Sequence, residues 1–253
     1  MSRYEGVDII KGIAVICMVV YHFFYFPNKY GFKEIEYDTP LLKTIARIAQ
    51  FIFIGSVGIN LSLSKDKSKK KNETDTDYIK KNIKRVLKIG FLAILMSIFT
   101  YFLFGDNFVK FGILHFIAVC SLLLFYFSDN IILIYILTVI SIMIFYLIKK
   151  NPDIFSWVPE KIAFISGIYN YKYTSFDHFP IFPWIIIILF GIIIGNHMKN
   201  KNINLSSIIK DNIISKGLQK IGSKSLEIYS IHWIVLYFIY CIIYSKFIRK
   251  LPV

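Results

Sequence analysis

The five histidines, His22, His115, His178, His197 and His232, each lie within or at the end of an apolar block. Imidazole is the side chain best matched to proton transfer near neutral pH. An ionisable group at bilayer depth is costly and usually lines a cavity or pathway. Other polar groups accompany them. Asp8 and Lys11 stand three apart in DIIKG and can pair on one helix face. Arg47 and Gln50 lie at the start of the second apolar block, and Asp177 and His178 are neighbours in SFDHFPIFPW. Histidines beside a carboxylate suit proton transfer, and buried cations suit an anionic ligand.

The elements that must position these groups are apolar helices. The chain has 253 residues, 56% of them hydrophobic, with mean hydropathy +0.57. The excess lies in nearly uncharged blocks of roughly 17–22 residues, the length at which a helix crosses a bilayer. Seven spans are predicted, at about 9–27, 43–64, 86–104, 111–127, 131–148, 180–197 and 226–245. The fold class is therefore all-α, a polytopic membrane helix bundle formed by one domain over residues 1–253. This excludes a soluble enzyme and a secreted disulfide scaffold. Continuous rather than alternating apolarity argues against a β-barrel. Cys17, Cys120 and Cys241 fall inside apolar blocks without metal-ligand spacing, so no metal is expected.

The net charge of +14 reflects 30 Lys+Arg against 16 Asp+Glu. No zinc-finger or RNA-binding motif accompanies it, so no nucleic-acid partner is expected and the charge is assigned to loops beside anionic lipid. The polar run 65–85 reads as a basic cytoplasmic loop, which puts the N-terminus inside. On this topology 18 basic residues fall inside and 12 outside. Loop 149–179 falls outside and carries Trp157, Tyr169, Tyr171, Tyr173 and Phe176, as an interfacial belt or as a platform for a sugar ring.

Topology sorts the polar groups into two sets. Fourteen residues separate Asp8 from His22, about 21 Å of helix. His22, His115, Asp177, His178, Arg47 and Gln50 can thus approach one outer-facing cavity. Arg3, Asp8, Lys11, Arg85, Lys88, His197 and His232 belong to the inner side, where a cationic mouth suits a phosphorylated cytosolic ligand. His197, followed by Lys199, reads as a surface histidine.

These residues carry a resemblance. The run of Arg3, Asp8, Lys11, Gly12, Ala14, Met18, Val19 and His22 resembles the opening of membrane acyltransferases related to heparan-α-glucosaminide N-acetyltransferase. Segments 47–64, 111–119, 175–195 and 221–233 agree in the same order. Lys11 stands where that family usually has arginine, which removes bidentate recognition there. The resemblance implies transfer of an acetyl group from cytosolic acetyl-CoA to a sugar amine or hydroxyl across the membrane, with a histidine central to the transfer.

The roles that follow are expectations. His22 or His115 acts as general base, and Asp177 orients that histidine or helps bind the sugar. Arg47, Gln50 and His178 bind the acceptor or the oxyanion. Arg3, Asp8, Lys11, Arg85, Lys88 and His232 hold the donor. The implied partners are membrane lipid and an extracytoplasmic glycan or amino sugar, and a homo-oligomer is compatible with the sequence. The rival reading is a small proton-coupled transporter or channel without transferase activity, weakened by the lack of an internal repeat.

Overall fold

The computed structural model describes residues 5–29, 35–168, 174–201, 203 and 212–244. The described residues are mainly helical. The helices are α1 (Glu5–Lys29), α2 (Pro40–Lys70), α3 (Asp75–Phe104), α4 (Ile113–Leu124) and α5 (Ile131–Lys150). They continue with α6 (Glu160–Ser166), α7 (Ile181–Asn200), α8 (Ile213–Ser223) and α9 (Ser225–Ile243). Six of them, α1, α2, α3, α5, α7 and α9, are long and apolar enough to cross a bilayer.

The fourth predicted span is different. Its helix has 12 residues, about 18 Å at 1.5 Å per residue. It lies antiparallel to α3. The Ser97 hydroxyl donates to the Val109 carbonyl (2.6 Å), and Thr100 accepts from the Val109 N–H (3.0 Å). At the other end the Tyr78 hydroxyl reaches the Phe125 carbonyl (2.9 Å). The segment 109–125 thus runs beside α3 from the level of Ser97 to that of Tyr78, using extended and turn residues to lengthen a short helix.

Residues 65–85 are not the loop expected from their polarity. α2 continues to Lys70 and α3 starts at Asp75, so only four residues are non-helical. Local chemistry explains this. Lys70 pairs with Asp66 at 2.9 Å with i,i+4 spacing, and Thr74 caps α3 by accepting from the Asp77 N–H at 3.1 Å. Loop 149–179 likewise contains a short turn at Pro152–Phe155 and α6.

The chain divides into two compact units, Met1–Phe53 with Asn204–Val253, and Ile54–Ile203. In the first, α8 packs antiparallel on α1 at backbone contact. A Cβ at Gly12 would overlap the Leu218 carbonyl, and one at Gly222 would overlap the Asp8 carbonyl. α9 runs along α1 as well, where the Tyr240 hydroxyl donates to the Phe23 carbonyl. The start of α2 joins through Phe53, stacked on Tyr229 at 5.5 Å.

In the second unit α7 crosses α2 through small residues. A Cβ at Gly191 would strike the Gly55 carbonyl, and Gly195 faces Ser62 and Ile59. This is the close approach that small residues four apart permit between membrane helices. Asn196 donates to the Ser128 carbonyl (2.8 Å) and Ile192 carbonyl (3.0 Å), so its amide is satisfied without water. Phe116, Cys120, Ile188 and Ile192 fill the interior, whereas Leu87, Phe102 and Ile132 point outward. The outward residues are apolar, as lipid contact requires.

Candidate active site

The first unit brings two histidines together. His22 on α1 and His232 on α9 share a hydrogen bond of 2.8 Å from Nδ1 of His22 to Nε2 of His232. Their rings are nearly parallel, with centroids 4.9 Å apart. Phe26 stacks on His22 at 4.7 Å. His232 was expected on the inner side with the donor-binding groups. The structure instead pairs it with His22. Burial explains the pairing, because each ring needs a polar partner inside the protein and each supplies the other's.

The protons in this pair follow from its second bond. Nδ1 of His232 lies 2.7 Å from the Tyr229 carbonyl oxygen. A carbonyl only accepts, so Nδ1 of His232 carries the proton. With the ring neutral, Nε2 of His232 is the acceptor and His22 donates from Nδ1. Nε2 of His22 then holds a lone pair. Among the described residues it has no hydrogen-bond partner.

Aromatic rings lie beside His22, Tyr21 at 5.6 Å and Tyr25 at 6.3 Å. Tyr21 and Tyr25 stack at 5.4 Å, and Tyr37 meets Tyr25 edge-on at 5.1 Å. Arg47 donates to the Gln50 side-chain oxygen at 3.2 Å on the exposed face of α2. Asp8 and Lys11 form the expected ion pair at 2.5 Å, and both are buried. Arg3 lies outside the described residues, as do Tyr169, Tyr171 and Tyr173.

The second unit uses its histidines differently. His115 accepts the Gly112 N–H at Nδ1 (3.3 Å), and its Nε2 faces the Ser97 hydroxyl oxygen at 3.2 Å. Ser97 gives its own proton to the Val109 carbonyl, so it accepts from His115. Both ring nitrogens are thereby committed. Asp177 does not bond the His115 ring. Its carboxylate accepts the Ile113 N–H at 3.2 Å. Together the two side chains satisfy two of the four N–H groups that open α4.

Burial pushes the Asp177 carboxyl up to about 6, against the lowering by backbone N–H groups of Ile113 and His178. His178 stacks on Phe164 at 4.1 Å and its Nε2 lies 2.8 Å from the Phe164 carbonyl. Burial holds its imidazole below the ordinary 6.5. His197 meets the Tyr135 hydroxyl at 3.0 Å on the surface.

Arg85 and Lys88 both lie on α3. Arg85 is half-buried and makes no hydrogen bond or ion pair among the described residues, and Lys88 is exposed. Among the described residues no three His, Cys, Asp or Glu side chains gather as a metal site would require.

A family model described as "Heparan-alpha-glucosaminide N-acetyltransferase, catalytic" matches residues 3–234. Neither a curated protein nor a solved structure matches the chain.

Proposed function

From the premise that the chain belongs to the heparan-alpha-glucosaminide N-acetyltransferase catalytic family, a family of membrane acyltransferases, we propose that it moves an acetyl group from cytosolic acetyl-CoA to a sugar amine or hydroxyl on the opposite face of the membrane. The observation that carries the chemistry is the lone pair left on Nε2 of His22 by its bond to His232. It is a base that needs no deprotonation before it acts.

In this reading Nε2 of His22 takes the proton of the acceptor N–H or O–H as that atom bonds to the acyl carbon. The carbon–sulfur bond breaks, and the imidazolium returns its proton to the departing thiolate. Such a base is worth about 10²–10⁴-fold. Arg47 and Gln50 belong to the same unit, with Tyr21, Tyr25 and Tyr37. A guanidinium can meet the oxyanion that develops on the carbonyl, and the tyrosine rings offer flat faces and hydroxyls to a sugar.

The donor's phosphates need cations. Lys11 is already engaged by Asp8. Arg85 makes no hydrogen bond or ion pair among the described residues, which leaves its planar fork available to phosphate. Arg85 is therefore a candidate ligand for a phosphate group within its own unit.

The test uses purified protein in detergent with acetyl-CoA and glucosamine. Free coenzyme A should appear only when an acceptor sugar is present, together with the acetylated sugar. No release with glucosamine or with hydroxyl-only sugars would count against the transferase and favour a carrier.

A further inference from the structure

We propose that His232 is a positioning residue that fixes the tautomer of His22. The inference rests on the reading of His22 as the base and adds a second residue to it. Free imidazole carries its proton mainly on Nε2. In that form His22 would present an N–H where the reaction needs a lone pair. The ring must be held as the Nδ1–H form, and a hydrogen-bond acceptor placed at Nδ1 does this.

His232 is built to be that acceptor. Its Nδ1–H is held by the Tyr229 carbonyl at 2.7 Å, three residues back on the same helix, within bonding range of a site that cannot donate. This leaves only a lone pair at its Nε2, and Nδ1 of His22 sits 2.8 Å away. The order is therefore Tyr229 carbonyl, His232, His22, reacting proton. A carboxylate commonly plays the orienting part for a catalytic histidine. Here a backbone carbonyl acting through a second imidazole does so without burying an anion, which a site at bilayer depth makes expensive.

Packing supports the same role. His232 is 7% exposed and Tyr229 beside it is also buried. Phe26 lies over His22 with its ring 6° from parallel and also faces His232 at 6.3 Å. The two rings have little room to flip and exchange nitrogens.

The experiment combines nitrogen-15 spectra of histidine-labelled full-length protein with turnover of acetyl-CoA and glucosamine. In the wild type the His22 Nε2 signal should have the shift of an unprotonated nitrogen, and Nδ1 that of an N–H. His232→Leu should reverse this and lower kcat by 10²-fold or more, with KM for acetyl-CoA unchanged. A misaligned tautomer costs about 10⁴-fold in the serine-protease triad. His232→Gln places a carboxamide oxygen at similar reach and should keep the wild-type tautomer and a kcat within about tenfold.

A protonated Nε2 on wild-type His22 would overturn the proposal, as would unchanged kcat in His232→Leu. Failure of the base assignment itself would look different. His22→Ala would then turn over like wild type, while the spectra, read without turnover, still reported which nitrogen carries the proton.

Discussion

His115→Ala should destabilise the protein without removing its proton-transfer chemistry. The ring makes two bonds, one from the Gly112 N–H at 3.3 Å and one to the Ser97 hydroxyl at 3.2 Å. Loss of the first uncaps α4, which costs about 1 kcal/mol. Loss of the second removes a neutral hydrogen bond worth about 1 kcal/mol. The neighbouring Ile113 N–H keeps its Asp177 partner, so the helix start is weakened rather than left open. The expected total is about 2 kcal/mol. For a chain of this length that lowers the unfolding midpoint by roughly 4–8 °C. The assay is thermal unfolding in detergent, paired with kcat measured well below the midpoint, where kcat should stay within about tenfold. A variant with an unchanged midpoint and a 10²-fold loss of kcat would refute this reasoning and move the base from His22 to His115.

Three further outcomes are expected. Asp177 has a carboxyl raised from its ordinary 3.8 to about 6, so the folded protein binds its proton more tightly than the unfolded chain. Its stabilising contribution is then full below about pH 4 and disappears as pH rises through 6; Asp177→Asn should remove that part of the pH slope in unfolding midpoints. Gly222→Val should block the approach of α8 to Asp8 and sharply reduce folded yield on size exclusion. Gly217→Ala, where a Cβ meets nothing within 4 Å, should instead stabilise the protein slightly, by about 0.5–1 kcal/mol of helix propensity, and so raise the midpoint.

The apolar blocks made the helices legible, because a run of bilayer length has few other solutions. A pair within one turn of one helix was legible too. Asp8 with Lys11 follows from i,i+3 spacing alone. The short helix α8 is not among the predicted spans, since its eleven residues include two lysines and two glycines. Its signal was present in Asn212, which caps the helix and exchanges bonds with Ser215, followed by Leu218 and Ile221 on one face.

The active-site pairing was not legible. His22 and His232 are 210 residues apart, and depth along each helix placed them on opposite sides. Only the packing of α9 on α1 brings them together. The role of His115 was hidden for another reason. Its partners are a backbone N–H and a hydroxyl already committed to a carbonyl, and neither commitment leaves a trace in residue type. A histidine in an apolar block announces that it has a partner, but not whether the partner uses up both nitrogens.

The central claim is that Nε2 of His22 moves the proton. The most direct measurement is kcat for acetyl transfer from acetyl-CoA to glucosamine by purified wild type and His22→Ala, with folding of both checked by unfolding midpoint. The account predicts a folded variant whose kcat is lower by about 10²–10⁴-fold. A folded His22→Ala protein with wild-type kcat would contradict it.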